Sequence, residues 1–265
     1  MNLEPLHTSA ATMVGGHKVL LYSRHGWGKT TQALHMQKHF GPGFIISGEG
    51  GLRSVGDTHI DYLPFQSWDG ENDPANGIYS LKAIMDWVRT DDFKSRGYKW
   101  IMLDSLTEAS DMLLADLHAK TAKSGKADDK KNGFKIWEDY AIEMLGRLKM
   151  IRDLPYHFVV TALAKDETDA DGNVTYWPAI KGNVVAKQLC GIFDHVLAGV
   201  RVTKRDGDGD DAKEVVKRYI VTDEIRGYVG KVRDPNRSLS QPFWEGGDIT
   251  ELLALFSAAP SGSKD

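Results

Sequence analysis

The stretch Val19-Leu20-Leu21-Tyr22-Ser23-Arg24-His25-Gly26-Trp27-Gly28-Lys29-Thr30-Thr31 decides how this chain reads. An apolar run that breaks into a glycine-bearing turn and then leads into a helix-like segment is the layout of a phosphate-binding loop, or P-loop. Small residues let backbone N–H groups curl around an anion, and the following helix adds its unpaired donors and the positive end of its dipole. In that reading Lys29 reaches the β and γ phosphates of a nucleotide and the Thr30 hydroxyl serves Mg²⁺. Ser23, Gly26, Trp27, Gly28 and Thr31 complete the cradle. Ser23 stands where the usual pattern has its first glycine, so the motif rests on Gly26, Gly28, Lys29 and Thr30.

A P-loop site needs a further acid to hold Mg²⁺, because the cation bridges phosphate oxygens while keeping octahedral geometry. Lys99-Trp100-Ile101-Met102-Leu103-Asp104-Ser105 supplies one: four consecutive apolar residues closing on Asp104 read as a central parallel strand that delivers a carboxylate to the edge of the sheet. Glu49 follows the apolar run Phe44-Ile45-Ile46-Ser47, just after the P-loop helix, where a carboxylate can orient the water that attacks the γ phosphate.

At 265 residues the chain is long enough for one α/β domain, expected over 18–256, with an irregular lead over 1–17 and a flexible tail over 257–265. A net charge of −4 and a pI near 6.1 give no global reason to expect nucleic acid, so a DNA partner would need a local basic patch. The lone Cys190 excludes an intrachain disulfide and reads as a buried apolar thiol. With no long apolar run and no signal-like beginning, the expectation is a cytosolic protein.

Along the chain, strands are expected at 18–22, 44–47, 59–65, around 100–104 and at 157–163, with helices near 29–39, 78–89, 106–119 and 135–152. Beyond Lys165 turn signals separate strand-like runs at 194–204, 215–223 and 227–233, so antiparallel strands are appended to a parallel core. Asp248 is placed to cap a last helix carrying Ile249, Leu252, Leu253 and Phe256.

This order of parts resembles the RecA-like ATPases, and more narrowly the phage-encoded RecA-like single-strand annealing or recombination proteins that consist of a core domain alone. The resemblance spans roughly 17–256 and rests on Gly26-Trp27-Gly28-Lys29-Thr30-Thr31, Ile45-Ile46-Ser47-Gly48-Glu49-Gly50-Gly51, Ile101-Met102-Leu103-Asp104-Ser105-Leu106-Thr107 and Gly230-Lys231-Val232-Arg233. It implies an α/β RecA-like P-loop NTPase core, with a mainly parallel central sheet flanked by helices. It also implies a DNA-stimulated ATPase using ATP and Mg²⁺, with Glu49 as catalytic acid and Asp104 as metal acid. Single-stranded DNA would be the partner, in annealing or homologous recombination by a homo-oligomer. Lys231 and Arg233, which would share one face of a strand, would then complete a neighbouring subunit's site.

Two segments occupy the places where that family binds DNA. Lys120, Lys123, Lys126, Lys130, Lys131 and Lys135 against Asp128 and Asp129 give a local charge of +4 that suits a phosphate backbone, or equally a solvated loop. In 165–183 Tyr176, Trp177 and Lys181 mix aromatic and basic groups, while Asp166, Glu167, Asp169 and Asp171 repel phosphate. Where the family places a glutamine or histidine that senses the γ phosphate, this chain has Thr161. His35 and His39 lack a third metal ligand and read as helix surface, and Trp27 is expected to pack on a neighbouring loop. A nucleotide-dependent accessory or loader module that never touches DNA stays open as a different class, and a small-molecule kinase as a third.

Overall fold

The computed structural model describes residues 15–123, 130–206 and 213–257. Its apolar runs become strands. β1 (Lys18–Ser23), β2 (Gly43–Ser47) and β4 (Trp100–Asp104) are buried along their whole length, as strands covered by helices on both faces must be. They alternate accordingly: Val19 and Leu21 face one core, Leu20 and Tyr22 the other.

The remaining strands are β3 (Asp61–Pro64), β5 (His157–Thr168), β6 (Val174–Pro178), β7 (His195–Asp206), β8 (Lys213–Val221) and β9 (Phe243–Glu245). The order across the sheet is β3-β2-β4-β5-β1-β7-β8-β9, with β6 paired to β5 off this path. Neighbours from β3 to β7 run parallel. β8 and β9 add antiparallel pairs, and β6 folds back on β5. The architecture is therefore α/β and mainly parallel, with antiparallel strands on the C-terminal side, as expected.

Helices α1 (Gln32–Phe40) and α7 (Ile249–Ser257) cover one face through Ala33, Met36, Leu252 and Phe256. On the other face lie α2 (Leu81–Trp87), α3 (Asp91–Ser95), α4 (Leu106–Lys123), α5 (Lys130–Arg152) and α6 (Asn183–Ile192). Because β1 leads to α1 on one face and β4 leads to α4 on the other, the ends of β1 and β4 flank a crevice at the C-terminal edge.

Several boundaries differ from expectation. α1 begins at Gln32 because residues 29–31 form a tighter turn, in which Gln32, Ala33 and Leu34 bond three residues back. The lysine-rich segment is mostly helix: α4 runs to Lys123 and α5 starts at Lys130, since alanine and lysine are strong helix formers. Lys126 lies outside the described residues, as do the side chains of Lys130 and Lys131. The segment 165–183 is a β5–β6 hairpin rather than a loop, its turn organised by Asp169, which accepts from the N–H groups of Asp171 and Asn173. No strand forms over 227–233. Arg226 and Gly227 adopt positive φ (51° and 79°) in a tight turn closed by Ile225 and Tyr228, and Lys231 makes only an isolated bridge to Val196. α3, α6 and β9 are additions; α6 was legible in the spacing of Val185, Ala186, Leu189 and Ile192.

Candidate functional site

The loop after β1 is shaped by its glycines. Gly26 and Gly28 have φ of 71° and 110°, and a Cβ on Gly28 would lie 2.9 Å from Thr31 Oγ1. The carbonyls are turned outward: Gly26 O accepts from Arg201 Nη1 at 3.3 Å, Trp27 O from Arg218 Nε at 2.9 Å, and Gly28 O from Gln32 Nε2 at 3.1 Å and Thr31 Oγ1 at 2.8 Å. The N–H groups of residues 26–31 meet no acceptor among the described residues. A concave row of free amides at the start of α1 is an anion cradle.

Lys29 is buried, with Nζ 3.4 Å from Ser23 O and 3.5 Å from Ser23 Oγ. Desolvation lowers its pKa, against the attraction of Glu49 and Asp104. A buried cation beside the row of free amides suits a polyanion. Trp27 is 2% exposed and its ring packs on Gly199, where a Cβ would come within 2.5 Å of the indole. The ring therefore packs on strand β7 rather than on a neighbouring loop.

The two acids arrive together because Ser47 pairs with Asp104 in the β2–β4 register. Asp104 is buried; it accepts from Thr30 Oγ1 at 2.7 Å through Oδ2 and from Thr161 Oγ1 through Oδ1. Desolvation raises its pKa, and the two hydroxyls and Lys29 oppose the shift. Glu49 Oε1 accepts from Ser105 Oγ. Gly48 lies under Phe65, whose ring a Cβ would meet at 2.3 Å, and this close approach fixes the turn that presents Glu49. Hydroxyl and carboxylate oxygens are the donors Mg²⁺ takes, so the residues present fit that metal.

A cavity of about 800 Å³ runs from Lys29, Thr30 and Glu49 outward to His35, Arg218 and Asp248. Another, of about 770 Å³, is lined by Tyr62, Tyr79 and Trp87 beside β3 and α2 and carries none of these groups.

The family profile described as an AAA domain matches residues 16–233. The chain belongs to the AAA domain family. No curated protein matches it. Among solved structures, this AAA domain chain is similar to the flagellar accessory protein FlaH from Methanocaldococcus jannaschii, at 11% identity over 83% of this chain and 92% of that one, with a TM-score of 0.39. It is also similar to the RadB recombinase, at 11% identity over 83% and 92%, with a TM-score of 0.36. No helix among the described residues is long and apolar enough to cross a membrane.

Ser23, Gly26, Trp27, Gly28, Lys29, Thr30, Thr31, Glu49 and Asp104 are thus brought to one place in this AAA domain. Lys231 and Arg233 are not. Lys231 exchanges hydrogen bonds with Val196, which pairs with Leu20, and its Nζ donates to Cys190 O at 3.1 Å. Arg233 pairs with Asp194 at 3.2 Å, beside Lys18 at the start of β1. The P-loop lies at the other end of that strand, about 16 Å away at about 3.3 Å per residue.

The residues expected on DNA are dispersed. Lys120 pairs with Asp69 at 3.2 Å and Asp116 at 3.1 Å, and Lys181 pairs with Asp111 at 3.1 Å. Lys123 and Lys135 are exposed. Tyr176 stacks on Tyr228 at 4.3 Å with Arg24 5.8 Å from its ring, and Lys187 Nζ lies 5.6 Å from the ring of Trp177. His35, read as helix surface, instead lines the cavity and pairs with Asp248 at 2.9 Å. Gln32, Arg218 and Gly247 were also missed, because each acts across a long sequence separation with no local motif.

Cys190 is half-buried; burial pushes its thiol up to about 11 and its Sγ donates to Ala186 O at 3.4 Å.

Proposed function

We propose that this AAA domain chain binds ATP with Mg²⁺ and hydrolyses it. The observation that supports the reading is the meeting of Lys29, Thr30, Asp104 and Glu49 at the ends of β1, β2 and β4, around a loop of free amides. When bound, the metal would supply neutralisation of phosphate charge. Thr30 Oγ1 and Asp104 would hold it, with Thr161 fixing the second carboxylate oxygen. Lys29 and the amides of residues 26–31 bind the phosphate oxygens, and Lys29 meets the charge that develops on the departing group. Glu49, anchored by Ser105, orients a water molecule and takes its proton as the water oxygen bonds the γ phosphorus and the bond to ADP breaks. Glu49→Gln is expected to keep ATP affinity and lower turnover about 100-fold or more. Unchanged turnover removes that role.

For the partner, the reading extends to single-stranded DNA. What supports it is the cluster beside the P-loop in which Arg24 lies over Tyr176 of the Tyr176–Tyr228 stack. Stacked rings with cations suit unpaired bases and their phosphates. Replacing Tyr176 with Ala and Lys123, Lys135 and Lys181 with Gln should weaken salt-sensitive binding of single-stranded DNA. Wild-type protein that binds no DNA while hydrolysing ATP would favour the accessory or loader class.

Annealing or recombination by a homo-oligomer belongs to the same proposal, with Lys231 and Arg233 serving a neighbour's site. Their distance from their own P-loop supports a role in trans. Mixing inactive Lys29→Ala with a Lys231→Ala, Arg233→Ala double variant should restore turnover if sites are shared; a mixture with no activity contradicts sharing.

A further inference from the structure

The outer end of the cavity has no part in the phosphate chemistry, yet it is built. Along α1, His35 follows Thr31 by one turn on the same face. Opposite it stand Gly247 and Asp248, which lie beyond residue 233, where the family match ends. Asp248 Oδ1 caps α7, accepting from Thr250 N at 2.8 Å and Thr250 Oγ1 at 2.6 Å. Its Oδ2 pairs with His35 Nδ1 at 2.9 Å, and His35 Nε2 has no partner among the described residues.

One buried side chain holds this wall in place. Gln32 is 1% exposed; its Nε2 donates to Gly28 O at 3.1 Å and Gly247 O at 2.7 Å, and its Oε1 accepts from Ile249 N at 3.0 Å. A single amide thus splices the phosphate loop to the start of α7.

The geometry points to a ribose subsite formed by His35 and Asp248, with Gln32 as the residue that positions it. A triphosphate seated on Lys29 and Thr30 directs its sugar along α1 toward this pair. The carboxylate offers acceptors, and with His35 Nδ1 donating to it the imidazole Nε2 offers another, which is what two neighbouring sugar hydroxyls acting as donors require. The subsite rests on the nucleotide reading of the same cavity. It adds that the chain recognises the nucleoside, and that α7 is part of the binding site.

The test is calorimetric titration of the full chain with Mg²⁺ and one of three probes: ADP, 2′,3′-dideoxy-ADP or pyrophosphate. Asp248→Asn keeps the helix cap, and His35→Ala sits at a half-exposed helical position. Each is expected to weaken ADP about tenfold while leaving pyrophosphate within about twofold. Dideoxy-ADP should bind wild type about tenfold more weakly than ADP and bind the variants no more weakly than ADP does. Gln32→Ala should lower the ratio of ADP to pyrophosphate affinity, which a general loosening of the fold would leave unchanged. Equal losses for ADP and pyrophosphate, or unchanged ADP affinity, overturn the subsite. Wild type that binds neither ADP nor pyrophosphate overturns the nucleotide reading itself.

Discussion

Thr30 Oγ1 donates to Asp104 Oδ2 at 2.7 Å, joining the turn that precedes α1 to the end of β4 across 74 positions of sequence. Asp104 is buried and its charged form is disfavoured by desolvation, so its carboxylate is retained at a cost to the empty protein. Asp104→Asn should leave the melting temperature of the ligand-free protein unchanged or raised, while lowering Mg²⁺-dependent turnover about 100-fold. Thermal melts and turnover on one preparation check this, and a large loss of stability with activity intact would mark Asp104 as structural only.

Gly199 and Trp27 define a second dependence. An added Cβ at Gly199 would meet the indole ring at 2.5 Å, and Trp27 belongs to the loop that cradles phosphate. Gly199→Ala should destabilise by about 1–3 kcal/mol and weaken nucleotide binding, since the overpacked ring must shift the loop. Trp27→Leu in the same chain should recover part of the loss, a coupling that a double-mutant cycle measures.

At the opposite end of the sheet three histidines share a chain of hydrogen bonds. Arg233 N donates to His195 Nδ1, so His195 Nε2 donates to His17 Nδ1 at 3.1 Å, and His17 Nε2 donates to Ser257 Oγ at 2.7 Å at the end of α7. His157 Nδ1 accepts from His17 N at 3.1 Å. Every ring in this chain is neutral. Burial, with neighbouring cationic groups, holds His195 at about 3 and His157 at about 4, and burial lowers His17. Unfolded histidines near 6.5 bind protons first as pH falls, so this stability is complete above about pH 6.5 and is lost progressively toward pH 4 and 3. Melting temperature should fall between pH 6.5 and 5, where most carboxylates have yet to titrate, and level off above pH 7. A flat profile across pH 5 to 7 would contradict it.

How much of this the sequence disclosed depends on range. Asp104 was legible because it ends an apolar run, and Glu49, Lys29 and Thr30 because they stand in glycine-bearing turns after such runs; a parallel strand of apolar residues must be buried with its polar end at the sheet edge. Gln32, His35 and Asp248 were not, because their meaning lies in contacts across about two hundred residues that no local period encodes. The lysines of 120–135 looked like a loop from charge alone, although alanine and lysine favoured helix there. Lys231 and Arg233 read as one strand face, but the positive φ at Arg226 and Gly227 turned the chain before a strand could form.

Mg²⁺-dependent ATP hydrolysis by wild type and Lys29→Ala, measured side by side with ATP binding, tests the central claim most directly. Lys29 sits buried among Ser23, Glu49 and Asp104, so its removal should abolish both tight binding and turnover while the folded state persists. A variant that hydrolyses ATP at the wild-type rate would contradict the account.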